Sequence, residues 1–466
     1  MSSPTSPASG TPASPSFVVT SPADILSYIP HALGFMPDES LVVLTTSGRR
    51  LGATLRVDLP GAGTDPLGFA DGVLSFLQGD VDADGTLIVV YTEEHWERYA
   101  PAPRSGLVLT METVLGTAGL PVRGGWFVGR SGWRDIFCTD EECCPWPGQP
   151  LDTVAHSALN AELVFGGSAF DASAPDAVLR AAPSVAARDV PGAAAPDPAV
   201  RAVEGARAHY AACCAGRWTA PGQFRATSAL WDAVLPGAGG FDVEAEPDVA
   251  GFLLASVESR AVRDFLLASA CLGSAAALDG ATACGLLASE AWADTPSTAP
   301  EGERPGAARV LPEVRSAGPL QGAIAALRTD GAGAGGDSGS EATPTAGPAP
   351  CGAEALLYAD VLAGRYSGAI AWGRVDAMSV LLARRAAVSE GESRAAALTM
   401  SAWFEYARGR GSRAAVFLDA AEQAVPGYRL ARLLHELLRR GGLPAWARSR
   451  ATAWTAGAAT ALHDAA

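Results

Sequence analysis

Strand-forming sequence ends near Gly148, and that asymmetry limits what this chain can fold into more than any single motif does. Between Thr20 and Gly148 short β-branched runs alternate with segments of helical spacing; beyond it the strand signal stops and Ala-rich helical segments continue through the 466 residues. A strand, a helix and a further strand in that order favour a layered sheet covered by helices, and the helical run after it favours a separate all-α half. The expected fold is therefore an α/β N-terminal layered domain, a mixed sheet with hairpins, followed by an all-α, tetratricopeptide-like C-terminal half.

Local signals place the elements. Ser21, Pro22 and Asp24 supply a cap, a first-turn proline and an early acid, and Ile25, Tyr28 and Ile29 then share one helical face, with Pro30 expected to stop or bend the helix. Residues 41–44 read as a buried strand, the chain reverses around Gly48, and residues 53–59 return as its hairpin partner. A helix over residues 66–77, a central strand over 86–91, a helix over 107–120 and a second hairpin turning at Arg130, Ser131 and Gly132 complete the domain. Near the other end Leu430, Leu433, Leu434, Leu437 and Leu438 recur at helical spacing, and Ala414, Leu418, Ala421 and Pro426 follow the second half of a tetratricopeptide repeat. The expected divisions are a disordered tail over residues 1–16, the α/β domain over 17–150, helices over 151–293, a disordered Gly/Pro-rich insertion over 294–350 with a short helix near Ala323, and helices over 351–466.

Charge narrows the chemistry. All 34 basic residues are arginine, against 50 acidic ones, for a net charge of -16. The absence of lysine excludes a phosphate-loop lysine, a Schiff-base lysine and a kinase strand lysine. The acidic balance disfavours nucleic acid and anionic membranes as partners, since both draw on excess positive charge. No apolar run reaches the roughly 20 residues of a spanning helix, and residues 1–16 lack the basic start and apolar core of a signal peptide, so the expected location is the cytoplasm.

The stretch from Ile25 through His31, Gly34 and Pro37 to Leu44, residues 53–60, Arg130 leading to Cys138, the run Cys143-Cys144-Pro145, and the helices between Gly411 and Gly441 together resemble the actinobacterial family catalogued as domain of unknown function 4192. The resemblance implies this architecture and a cytoplasmic, actinobacterial origin. It implies no activity, cofactor or partner.

Several groups are candidates for chemistry. Cys138, Cys143 and Cys144 with His156 offer three thiols and an imidazole to a tetrahedral zinc, although adjacent cysteines point apart in an extended chain; the alternatives are buried thiols or a reversible Cys138–Cys143 bond. Arg56 and Arg130, near the ends of the two hairpins, can form an anion site, because guanidinium forks match phosphate or carboxylate. A hydrolase triad can be written from Ser40, His31 and Asp38, but no nucleophile elbow surrounds Ser40 and a turn entering a strand explains these residues better. His95 with Glu93 and Glu94 follows the central strand, where α/β sheets place ligands, and a solvated loop is the alternative. Cys213, Cys214, Cys271, Cys284 and Cys351 read as core fillers. Between Trp403 and Arg450 nine arginines face four acids, a basic island that can dock on the acidic body or on a protein partner through Arg429, Arg432, Arg439 and Arg440.

Two functions follow as expectations. Absent catalytic motifs and paired amphipathic helices favour a non-enzymatic protein-interaction, scaffold or regulatory protein. The alternative is an enzyme or small-ligand sensor with an anion-binding pocket at the strand ends of the first domain, zinc- or thiol-dependent. A pocket lined by converging polar groups would favour the second, and a groove between the C-terminal helices the first.

Overall fold

The computed structural model describes residues 18–61, 63–182, 198–238, 242, 245–287, 309–316, 318–329, 352–439, 443–449 and 451–455. The expected tail, most of the insertion, Cys351, Arg440 and Arg450 lie outside the described residues. The chain divides into two units, Met1–Ser173 and Ala174–Ala466.

The first unit carries α1 (Pro22–Leu33), β1 (Ser40–Ser47), β2 (Arg50–Asp58), α2 (Pro66–Leu77), β3 (Gly85–Tyr91), α3 (Ser105–Thr117), β4 (Val122–Gly129), β5 (Gly132–Asp135), α4 (Asp152–Ala155) and α5 (Ala158–Phe165). The strands form one mixed sheet in the order β2-β1-β3-β4-β5. β3 pairs antiparallel with β1 and parallel with β4. Both β1 and β3 are buried on both faces, which is why they read as continuous apolar runs. Alternation divides their side chains. Val42, Leu44, Leu87, Val89 and Tyr91 pack with Leu26 and Ile29 of α1, whereas Leu41, Val43, Ile88 and Val90 pack with Val73, Leu77, Val108 and Met111 of α2 and α3.

Helix α1 does not end at Pro30. It runs one turn further and closes at Gly34, whose left-handed backbone (φ 82°) lets its N–H donate to the Pro30 carbonyl. The unit also extends past residue 150: α4 and α5 pack on α1, and the backbones of Met36 and Asp171 pair (2.9 Å).

The second unit is all-helical among the described residues: α6 (Ala174–Ala181), α7 (Pro198–Cys213), α8 (Pro221–Val234), α9 (Pro247–Glu258), α10 (Arg260–Leu272), α11 (Ser274–Ala283), α12 (Pro319–Thr329), α13 (Ala353–Leu362), α14 (Trp372–Ala387), α15 (Gly391–Ala407), α16 (Gly411–Ala424) and α17 (Arg429–Arg439). Helices α9 and α15 are buried almost all round and form its centre. Three large aromatic side chains of this core keep their polar atoms paired: the indole N–H groups of Trp231, Trp403 and Trp446 donate to Ser256 Oγ, the Leu362 carbonyl and the Ala407 carbonyl. Helices α15 and α16 form the hairpin that the repeat-like spacing suggests, with Ala414, Leu418 and Ala421 buried. Inside the span read as an insertion, α12 buries Ile324, and Gln223 bonds the backbone of Val310 through both ends of its amide (2.8 and 2.9 Å). Among the described residues no helix is long and apolar enough to cross a membrane.

Helices α7 and α9 cross closely, and a Cβ on Gly251 would sit 2.5 Å from both the Ala206 Cβ and the Arg207 backbone nitrogen. Backbone cannot swing aside as a side chain can. Gly251→Ala is expected to destabilise the second unit by about 1–3 kcal/mol, visible as a lower urea midpoint, while Gly205→Ala, inside α7 and meeting nothing within 4 Å, raises the midpoint slightly because alanine is the better helix former.

Candidate functional site

The parallel pair β3 and β4 ends in a cavity of about 520 Å³. Open α/β sheets bind ligands at the carboxyl ends of their strands, where the chain leaves the sheet in different directions. Tyr91 and Val128 line it from the sheet, Leu26 and Pro30 from α1, and Val154 and Val164 from α4 and α5. Four of its lining residues are large apolar side chains left open to solvent: Met36 and Leu151 (both 40%), Val164 (56%) and Phe170 (37%). Polar groups are fewer: Ser27, Asp38, Thr92, Glu93, Arg130, Asp152 and Asn160. Burial pushes the Tyr91 phenol pKa up, so its hydroxyl stays protonated at neutral pH.

Hydrogen bonds from neighbouring segments set these polar groups in place. Glu39, in a left-handed backbone conformation (φ 39°), accepts hydrogen bonds from the Thr92 hydroxyl (2.9 Å) and the Glu93 N–H (2.8 Å), fixing the segment that leaves β3. Asn160 accepts from His31 Nε2 (3.0 Å) and donates through Nδ2 to the Ala155 carbonyl (2.7 Å). The Asn160 amide oxygen only accepts, so His31 Nε2 carries a proton; its Nδ1 lies 2.9 Å from Ser168 Oγ, and its ring meets Phe170 edge-on at 4.9 Å.

Asp24 holds the two helical walls together. Its carboxylate caps α1, accepting from the Thr20 N–H and hydroxyl and the Ser21 N–H, and also accepts from the Leu159 N–H at the start of α5 (3.2 Å). Ser157, the cap of α5, donates to the Ser27 hydroxyl of α1 (2.9 Å). Burial pushes the Asp24 pKa up, but the bonds from Thr20, Leu159 and Ser21 outweigh it and bring the pKa down to about 2.

The residues singled out in the sequence are distributed as follows. Arg130 lines the cavity mouth and is ion-paired with Glu93. Arg56 does not line it: it pairs with Asp58 (2.6 Å) and donates to the Ser40 hydroxyl (2.8 Å) and the Asp38 carbonyl. β1 and β3 lie between their strands, about 14 Å of sheet at the usual spacing, so these two arginines do not make one fork. Ser40 donates to the Asp38 carbonyl and not to His31, so no triad forms. His95 is exposed, and Glu94 pairs with Arg104.

The three thiols of Cys138, Cys143 and Cys144 do meet, with all Sγ atoms within 4.8 Å of one another. Residues 141–144 form a turn, and this brings the adjacent pair to one side where an extended chain would splay them. His156 is not in that group; its Nδ1 bonds the Asp152 carbonyl one turn back (2.8 Å). Burial, then the hydrogen bond and charge of the Cys138 thiol, push Cys144 up to about 12, which argues against a reactive thiolate there. Cys214 and Cys271 are core fillers, whereas Cys213 and Cys284 are exposed. Much of the basic island turns inward: Arg408, Arg410 and Arg413 all face Glu405, and Arg408 also pairs with Asp376 (2.6 Å). Arg429 and Arg432 are exposed, and Arg439 pairs with Glu436.

Sequence reasoning missed Asp24 as a bridge, Glu39, Asn160 and Phe170. The Ser21 and Asp24 cap was visible, but its second partner is 135 residues away. The geometry defines a layered α/β domain with an apolar strand-end cavity, followed in the chain by an all-helical half. The chain belongs to the family described as a domain of unknown function (DUF4192), which matches residues 22–332 and 366–445 and so takes in both units. No curated protein and no solved structure matches it.

A carboxylate whose folded pKa is depressed stabilises the fold above its ordinary pKa of about 3.9 and loses that contribution as pH falls through about 2. Asp24→Asn is therefore expected to cost about 1–3 kcal/mol at pH 7 in urea unfolding followed by tryptophan fluorescence, with the difference from wild type shrinking as pH falls through about 2.

Proposed function

We propose that the first unit binds a small amphipathic molecule in the strand-end cavity, with an apolar body on Leu26, Val128, Leu151 and Val164 and a cationic or hydrogen-bond-donating end at the mouth. The observation that supports this reading is the set of exposed apolar side chains converging on one concavity of a size typical for ligands. The charge of the end follows from the lining: Asp38, Glu93 and Asp152 face a single arginine, and that arginine is paired. This balance favours a cation over the anion that two converging arginines would hold. Cys138, Cys143, Cys144, Cys213, Cys214 and Cys271 are free thiols, in keeping with a cytoplasmic setting.

A second reading, a protein-interaction or regulatory role for the helical half, draws on a groove of about 440 Å³ lined by Arg263, Glu392, Tyr428, Arg429 and Leu433. Leu433, expected on the buried stripe of α17, is 57% exposed there, an apolar side chain beside charges of both signs. Such a face suits a helix laid into a groove.

The ligand reading is tested by titrating the full chain with hexyltrimethylammonium and with hexanoate, which share an apolar length and differ in charge. Stabilisation by the ammonium alone is expected. It should be lost in Ala155→Trp, which fills the cavity, and weakened about fivefold in Asp152→Asn, the worth of one carboxylate at close range in water. Equal binding of the two probes, or binding unchanged in Ala155→Trp, would sink the proposal.

A further inference from the structure

We propose that Cys138, Cys143 and Cys144 form a three-thiolate site for one thiophilic cation, with zinc as the reference ion, and that its fourth coordination position is open to solvent.

Geometry carries this. Zinc–sulfur bonds of about 2.3 Å put the corners of a tetrahedral site about 3.8 Å apart. The three Sγ atoms already lie within 4.8 Å of one another, so an ion draws them together by about an ångström or less. All three are free thiols, and they grade from buried Cys144 through half-buried Cys138 to exposed Cys143. That gradient leaves one side of the cluster facing water. An all-sulfur donor set selects soft or borderline ions over magnesium or calcium.

The loop that holds them is built without the ion. Its two ends are joined by the paired backbones of Trp133 and Gln149 (2.8 and 2.9 Å). At its start the Asp135 carboxylate accepts the N–H groups of Phe137 (2.8 Å) and Cys138 (3.0 Å). Within it Asp140 accepts the Glu142 N–H through its side chain and the Cys144 N–H through its carbonyl, both at 2.8 Å. At its end the Trp146 and Trp96 rings meet edge to face, 6.2 Å apart, and each lies 5.6 Å from the Arg134 guanidinium. Arg98 ties the neighbouring segment to Glu141 of the loop (2.8 Å). Such preorganisation means that the cysteines meet because of the fold, and the ion need not nucleate it.

Loading with Zn²⁺ displaces the three thiol protons and leaves a complex of net charge -1. His156 takes no part, since it is held on its own turn. Among the described residues no fourth protein ligand joins the group, which separates this arrangement from a closed structural zinc site, where four protein atoms fill the shell.

The test uses the full chain, purified under reducing conditions without chelator, stripped and titrated with Co²⁺ as a spectroscopic stand-in for zinc. One equivalent should bind with sulfur-to-cobalt charge-transfer absorption of three-thiolate intensity, displaced by Zn²⁺, and this wild-type measurement does not depend on any variant folding. Cys143→Ser should weaken binding by more than the roughly 10- to 100-fold that loss of an outer-shell partner costs. Cys213→Ser and His156→Ala should bind as wild type. No charge-transfer band, a Cys213→Ser loss equal to that of Cys143→Ser, or a disulfide among the three cysteines under reducing conditions would overturn the site. Loss in His156→Ala would overturn the open fourth position.

Discussion

A single buried carboxylate, Asp24, decides where the walls of the first unit's cavity stand. Desolvation alone would make it unfavourable, and it persists ionised because backbone and hydroxyl donors from two helix starts point at it. One set of donors belongs to α1, which lies on the sheet; the other belongs to α5, which does not reach far into the core. Beside the shared carboxylate, α5 is held by the buried Leu159 and Leu163 and by the Ser157–Ser27 and Asn160–His31 bonds. The cavity between these helices is thus a by-product of how one acid satisfies two helix termini.

The same economy of partners runs through the arginines. With no lysine in the chain, every fixed positive side chain is a planar fork, suited to several simultaneous contacts. Glu405 gathers three of them in the helical half, and Arg408 and Arg410 also lie over the Trp454 ring. A run that looks like a basic face on paper is partly an internal charge cluster. What stays outward is the first turn of α17, where Arg429 and Arg432 flank a partly uncovered leucine stripe.

Strand and helix identities in the first unit were legible because β1 and β3 are buried on both faces and so carry unbroken apolar runs, and because Ser21 with Asp24 and Asp65 with Pro66 announce helix starts. Pro30 misled, since a proline in a last turn costs one bond and Gly34 closes the helix beyond it. In the second unit Ala-rich α15 carries no stripe to read, being buried on every side. Of the candidate sites, the cysteines were identified by residue type, but their convergence depends on a turn that spacing does not encode. Arg56 and Arg130 were paired on hairpin position, and strand order separates them.

By itself the amino-acid sequence determined the fold class, the division into a sheet-bearing unit and a helical one, the family, and the chemistries ruled out by the missing lysine. These follow from periodicity, composition and local caps, which act over a few residues. Only the tertiary structure decided that Asp24 spans two helices, that apolar side chains from α1, the sheet and α5 leave a cavity, and that three thiols share one point. Each of those depends on distances between segments brought together by packing, a quantity that no local pattern records.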